Sequence, residues 1–403
     1  MHALSGLKVI DASTLFAGPV IATLLGDFGA EVLKVEHPGG DALRTLGWEK
    51  DGISLWWLFV NRNKRCVTLD LGEPQGQELL RELVAGADVL VENFRPGRME
   101  GWGLGWDALS SINPGLVMVR VTGFGQDGPY RNRSGFGTLA EAMSGFAHLN
   151  GYPDGPPTLP PFALGDGIAA CFGAFATLAA LRHRDTGGSG GSSGSGGSGQ
   201  MIDLSIYEPL FWILGAQVTL YDQLGVVQER TGNRAPFTAP RNAFQAGDGR
   251  WFGLSASSQS IAERVVRLVG RGDLVEEGWF RSHRGRLEHQ DEIEDAIAAW
   301  IGSRPSEEVI AAFEAFEAAI APIYSMADIM ADPQYQARET IATVSHPVLG
   351  PVKVPGVVPR LSATPGEIRH LGRALGEDNE AVYVEGLGYE PADPAAWKAA
   401  GVI

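Results

Sequence analysis

Residues 7–36 read LKVIDASTLFAGPVIATLLGDFGAEVLKVE, and this stretch decides the fold. LKVIDA, 7–12, has the length and apolar content of a short strand. In AGPVIATLLGDFGA, 17–30, the residues Ile21, Leu24, Leu25 and Phe28 recur at helical spacing, with Gly29 as a stop signal. EVLKVE, 31–36, predicts a second strand. Strand, helix and strand with short joins predict a parallel sheet covered by helices on both faces.

The alternation continues outward. EPQGQELLRELVAGA (73–87) predicts a helix, and DVLVEN (88–93) and LVMVRVTG (116–123) predict strands. The expected fold class is α/β: a large domain with a Rossmann-like parallel sheet, plus a smaller α+β domain. Ligands of such sheets bind beyond the carboxyl ends of the strands. The segments 12–19, 36–41, 93–98 and 123–130 are therefore where binding residues are expected.

Beyond a Pro-rich loop (152–162) a long apolar helix is predicted over 166–184. GGSGGSSGSGGSG (187–199) follows, a composition that cannot form a core and reads as a flexible surface linker. It lacks the GKS or GKT of a phosphate loop. The text turns Ala-, Glu- and Arg-rich near 216. The expected organisation is a large domain over 1–215, a small domain over 216–334, and a return segment, 335–403, completing the large domain.

Bulk properties exclude several classes. A net charge of −16 runs against nucleic-acid binding. The two cysteines, Cys66 and Cys171, make no disulfide framework and fit reduced thiols in a cytoplasmic protein. No apolar run is expected to span a membrane, and the N-terminus lacks the pattern of a signal peptide. His2, His37, His148, His183, His283, His289, His346 and His370 are scattered without ligand spacing, so no metal is expected.

Chemistry concentrates at two kinds of place. Asp166, in FALGDGIAACFGA (162–174), opens the long apolar helix between Gly165 and Gly167. An aspartate there is an ordinary helix cap, or a carboxylate that small neighbours leave open to a thioester substrate. A helix N-terminus would keep it ionised and offer N–H groups to an oxyanion. Basic residues gather in NRNKRCVTLDL (61–71) and VENFRPGRMEGWGLGWDAL (91–109): Arg62, Lys64, Arg65, Arg95 and Arg98, beside Asn93 and Phe94. They suit a solvated turn, or an anionic nucleotide stacked on the aromatic ring.

Those strings, with VTGFGQDGPY (121–130), EAMSGFAHLNGYPDGPP (141–157) and LGEDNEAVYVEGLGYE (375–390), occur in the order and spacing of one family. The chain resembles the class III CoA-transferases, such as the formyl-CoA, carnitine and succinyl-CoA:glutarate enzymes. The resemblance implies that Asp166 is the nucleophile, carrying first the acyl group as an anhydride and then CoA as a thioester. It implies a CoA site of Thr14, Leu15, Phe16, Ala17, Gly18 and Pro19 with Lys64, Arg65, Asn93, Phe94, Phe124 and Gln126. Arg98 joins this set, and His37 stands where a basic CoA contact is frequent. Coenzyme A is then a substrate, with no metal or redox cofactor, and two identical chains interlock as rings. Gly101 and Asp378 depart from the family pattern, which often has a basic residue and a histidine there. No glycine run resembles the family's thioester cover, and 231–242 is the substitute expected. Arg234 and Arg241 are the expected clamps for a small dicarboxylate acceptor.

Four other readings lack residues that they need or would not need residues that are present. An α-methylacyl-CoA racemase-like isomerase needs a second acid/base group, and in those relatives it is a histidine where this chain has Phe136 and Gly137. A non-catalytic CoA-binding subunit would not need the full LGDG context. A dinucleotide oxidoreductase would carry GxGxxG where this chain reads STLFAGPV. A metal hydrolase would need grouped histidines.

Overall fold

A computed structural model describes residues 2–187 and 197–403. The Gly/Ser run expected as a linker therefore falls mostly outside the described residues. The chain forms two compact units. The first takes the chain through Phe146, then Leu159–Ala216 and Gln336–Ile403; the second takes Ala147–Thr158 and Gln217–Tyr335. The boundaries read from sequence, 216 and 334, miss an earlier excursion: 147–158 lies in the second unit.

In the first unit, β1 (Lys8–Asp11), α1 (Ala17–Asp27) and β2 (Glu31–Glu36) realise the opening stretch. Gly29 follows α1 at φ 101, a conformation that a side chain disfavours, and so turns the chain into β2. Next come β3 (Lys64–Thr68), α2 (Pro74–Ala85), β4 (Val89–Glu92) and β5 (Val117–Thr122). Two helices, α3 (Gly137–Met143) and α4 (Leu164–Asp185), precede β6 (Met201–Ser205) and α5 (Tyr207–Ile213).

All six strands are parallel, in the order β3-β2-β1-β4-β5-β6. This is the Rossmann order, and its direction of winding reverses between β1 and β4. Every residue of β4 and β5 is buried, as a sheet covered on both faces requires. Ile21 and Leu25 of α1 pack with Ala169 and Ala170 of α4 over one face. Leu79, Leu80 and Val84 of α2 cover the other. Each of these Ile, Leu and Val side chains contributes about 1.5–3 kcal/mol by leaving water.

The α4 helix corrects one expectation. By length and composition alone it could cross a membrane, where no such segment is expected from the sequence. Its apolarity has a packing cause: Ala169, Ala170, Ala174, Ala180 and Leu181 lie in the core against α1 and the sheet.

In the second unit, β7 (Arg241–Gln245) and β8 (Trp251–Ser255) precede the helices α6 (Gln259–Leu268), α7 (Gln290–Gly302) and α8 (Ser306–Ala315). β9 (Ile320–Pro322) completes an antiparallel sheet of order β9-β8-β7 around Phe252, Phe280, Ile297 and Phe313. The return segment forms a hairpin, β10 (Ile341–His346) and β11 (Gly350–Pro355), then seals the β3 edge. Asp378 accepts the Cys66 N–H at 2.7 Å, Asn379 accepts the Thr68 N–H at 2.9 Å, and Tyr383 donates to the Thr68 carbonyl at 2.8 Å.

Candidate active site

The winding reversal places the loop after β1 beside the loop after β4, and two amide bonds lock them. The Thr14 N–H donates to the Asn93 side-chain carbonyl and Asn93 Nδ2 donates to the Thr14 carbonyl, both at 2.8 Å. Below them lies a buried charge network. Lys64 Nζ reaches Asp11 Oδ2 at 2.8 Å, the Pro19 carbonyl at 2.7 Å and Asn61 Oδ1 at 3.1 Å. Lys34 Nζ pairs with Asp41 at 3.2 Å and donates to the Ser13 carbonyl. Burial alone would raise the Asp11 carboxyl, but Lys34 and Lys64 hold it below the usual range.

This network corrects the expectation for Lys64. Its side chain is fully buried and its three protons are spent inside the protein, so it shapes the 11–19 loop and has no surface to offer CoA. Gly18 and Pro19 also lie behind the surface. A Cβ on Gly18 would come 2.4 Å from Ser13, so glycine is what lets α1 start there. Arg62, from the same basic run, is buried against Asp27 at 2.6 Å. Arg65 lines a different cavity, with Lys8 and Glu31 at the amino ends of the strands, and lies 3.4 Å from Asp378.

Of the rest of the loop, Thr14 is exposed, Leu15 and Phe16 are half-buried, and Ala17 is buried in the core. Thr14, Leu15, Phe16 and Ala17 line a cavity of about 330 Å³ with Asn93, Phe94 and Asp166. Leu15 holds φ 64, left-handed for a residue with a side chain, with its N–H on Asp41. Such backbone persists only where surrounding bonds fix it. A second cavity, of about 300 Å³, shares Thr14 and Phe94 and adds His37, Arg98 and Trp102. Phe94 meets Trp102 edge-on at 5.0 Å, and the Arg98 guanidinium lies 4.6 Å over the Trp102 ring. Aromatic faces beside cations suit a nucleotide. Phe124 and Gln126 border neither cavity. Phe124 packs on Tyr130 and Tyr207, and the Gln126 N–H is fixed to Asp203 at 2.9 Å.

Asp166 is the third residue of α4, with Ala163 as the cap residue. Its carboxylate rests against the first residue of α3, where a Cβ on Gly137 would lie 2.2 Å from Asp166 Oδ2. Gly165 is constrained less sharply, since its Cβ would come 3.0 Å from the Gly137 carbonyl and from Leu210. Beside Gly167 the space is open. Burial, and after it the Glu141 charge, push the Asp166 carboxyl up to about 6. A helix N-terminus is expected to keep this group ionised and to donate to an oxyanion; the Asp166 N–H does favour the ionised form, but burial outweighs it. Instead the Gly165 N–H goes to Glu141 at 3.1 Å and the Gly167 N–H to the Ala163 carbonyl at 3.0 Å. The result is a half-buried, unusually basic carboxylate at the wall of a cavity.

Gly137→Ala should therefore displace the Asp166 carboxylate and lower kcat by roughly a hundredfold, because small misplacements of a reacting group are costly. Steady-state rates beside a thermal melt would check it; unchanged kcat would mean that the contact is irrelevant.

Arg234 is not a free clamp. Its guanidinium is held by Asp291 at 2.7 Å and Glu294 at 2.8 Å within the second unit. Arg241 opens β7 with an exposed side chain, and its N–H meets Glu294 at 3.4 Å. The cations that do line the Asp166 cavity are Arg95, Arg131 and Arg133, and among the described residues no carboxylate pairs with them. Arg131 and Arg133 lie just past the loop window 123–130, and Glu141 one helical turn beyond Gly137; neither position carries a spacing signal.

A Rossmann-ordered sheet, with a basic carboxylate and an aromatic, cationic crevice at its switch point, defines an α/β enzyme for group transfer from an anionic nucleotide-type substrate. Comparison gives the family. The model of CoA-transferase family III matches residues 4–379. The chain is 40% identical to the succinyl-CoA–D-citramalate CoA-transferase of Chloroflexus aurantiacus, over 99% of this chain and 98% of that one. It is 43% identical to the beta subunit of the succinyl-CoA–L-malate CoA-transferase of the same organism, over 96% and 94% of the two chains. The crystal structure of a CAIB/BAIF family protein from Brucella suis superposes with a TM-score of 0.81 at 29% identity, covering 95% of this chain and 99% of that one. The chain belongs to CoA-transferase family III and is a CoA-transferase.

Proposed function

We propose that the protein moves CoA from succinyl-CoA to a small dicarboxylic acid, with Asp166 as the covalent carrier. One observation supports this most: a carboxylate made basic by burial forms the wall of the cavity that the β1 and β4 loops enclose. An Asp166 oxygen attacks the thioester carbonyl; a C–O bond forms, the C–S bond breaks, and CoA leaves as thiolate. The thiolate then attacks the aspartyl carbonyl of the anhydride, forming an aspartyl thioester and releasing succinate. The acceptor carboxylate repeats the sequence in reverse. Arg131 and Arg133, with which no carboxylate pairs among the described residues, suit the remote carboxylate of such an acid. The succinyl donor is taken from the names of the relatives.

Asp166 must be ionised to attack. With its carboxyl near 6, kcat/KM should rise with pH through about 6 and level off above it. A pH–rate profile flat down to pH 4.5 would contradict this.

A racemase reading lacks its partner base: Phe136 and Gly137 hold that position, and His148 is 3.5 Å from Glu229 in the second unit. We also propose a homodimer, with the interlocked form implied by the family resemblance. Support comes from the exposed apolar side chains Phe175 and Leu178 of α4 with Phe211, Trp212 and Ile213 of α5. Two relatives are named as alpha and beta subunits, so a mixed assembly is the competing outcome of a mass measurement. A cytoplasmic location belongs to the same proposal, resting on the unpaired Cys66 and Cys171. The test of function is succinyl-CoA incubated in D2O with and without malate, citramalate or glutarate. A new acyl-CoA formed only with acceptor supports transfer; deuterium entering the α-carbon without acceptor would refute it.

A further inference from the structure

We propose that Glu141 is a positioning residue for the Asp166 chemistry, anchoring the first turn of α4 and setting a second negative charge beside the reacting carboxylate. This inference rests on the reading of Asp166 as the nucleophile.

The geometry comes from α3. Gly137 and Glu141 stand one turn apart and so face the same neighbour. Gly137 abuts the Asp166 carboxylate, and Glu141 accepts the N–H of Gly165, the residue before it. Glu141 is only 2% exposed, and among the described residues no cation pairs with it. A buried carboxylate without a counter-cation is costly to keep ionised. Burial pushes its own carboxyl up, although the Gly165 N–H works against this.

The surroundings leave Glu141 as the group beside Asp166. The helix α4 packs against α1, α3, α5, β5 and β6. Asp27 of α1 is tied to Arg62, and Tyr207 of α5 bonds to Glu208. Arg120 of β5 pairs with Glu92 and Glu100, and Asp203 of β6 accepts from Gln126. From the cavity side come Arg95, Arg131 and Arg133.

A neighbouring charge matters because both covalent states of Asp166 are neutral. When the carboxylate becomes an anhydride its charge departs on the CoA thiolate, and that loss relieves repulsion with Glu141; the exchange of anhydride for thioester, in which the thiolate's charge passes to the released acid, leaves Asp166 neutral. While it is ionised, Glu141 thus favours the covalent states over the free carboxylate and makes that carboxylate a stronger nucleophile.

The test compares Glu141→Gln and Glu141→Asp with the wild type, using succinyl-CoA as probe. Glutamine keeps an oxygen for the Gly165 N–H but removes the charge; aspartate keeps the charge but shortens the reach. In Glu141→Gln, kcat should fall about tenfold, the acid limb of kcat/KM should move to lower pH, and the CoA adduct on Asp166 should drop several-fold, with KM unchanged. Glu141→Asp should keep an acid limb near that of the wild type. A wild-type acid limb and adduct level in Glu141→Gln would overturn the inference alone, and so would equal shifts in both variants. Should Glu141→Gln fail to fold, the inference stands or falls on Glu141→Asp, whose acid limb must not move. No adduct in the wild type would instead overturn the nucleophile reading beneath it.

Discussion

Asp166→Asn should lower CoA transfer roughly a thousandfold or more, and at the same time stabilise the protein at pH 8 by about 2 kcal/mol. The two effects share a cause. In the folded chain the Asp166 carboxyl lies near 6, above its ordinary 3.8. A raised carboxyl binds its proton more tightly in the folded than in the unfolded state. Ionisation therefore costs the fold nothing below about pH 4, an increasing amount up to pH 6, and the full amount above. The shift corresponds to about 3 kcal/mol at 1.36 kcal/mol per unit, reduced to about 2 because the group is not wholly enclosed. Asparagine carries no charge, so its gain should be present at pH 8 and absent at pH 4. Denaturant unfolding at both pH values checks the pattern. Equal destabilisation at both would mean that the carboxylate is a cap, not a strained reactive group.

Lys64→Met should have the larger effect on stability, a loss of about 3–5 kcal/mol, because it leaves Asp11 in the interior with a partner removed. Lys34 remains, but only at 3.9 Å from Asp11. Folded Lys64→Met protein should bind acyl-CoA with a KM close to that of the wild type, since the ammonium spends all its bonds internally. The loss should fade in acid, as Asp11, held below its usual range, is protonated there in both states. A raised KM with unchanged stability would restore Lys64 to the CoA surface.

Lys64 also shows where sequence reasoning runs out. In NRNKRC three cations within four residues look like one exposed patch. The pleat turns Lys64 inward to Asp11 and leaves Arg65 half outside, while Arg62, ahead of the strand, is buried on Asp27. Nothing in composition reports the acids that receive them, which lie far away along the chain. By contrast β1, α1 and β2 were legible because their periods change from strand to helix and back within a few residues, with Gly29 marking the change. The loops after β1 and β4 were legible for the same reason, and they do meet, through Thr14 and Asn93. The excursion of 147–158 was not legible. A Pro- and Gly-rich run carries no sign that Arg230 will bond the carbonyls of His148 and Tyr152. Asp166 stood out by its glycine neighbours, yet Gly137, which its carboxylate abuts, and Glu141, which accepts the Gly165 N–H, became visible only when α3 was laid against α4.

The most direct measurement is intact and peptide-level mass spectrometry of the enzyme quenched during turnover of succinyl-CoA. Covalent CoA confined to the peptide carrying Asp166, and missing from Asp166→Asn, is the expected result. Turnover with no modification at Asp166, or a modification that survives in Asp166→Asn, would contradict the account.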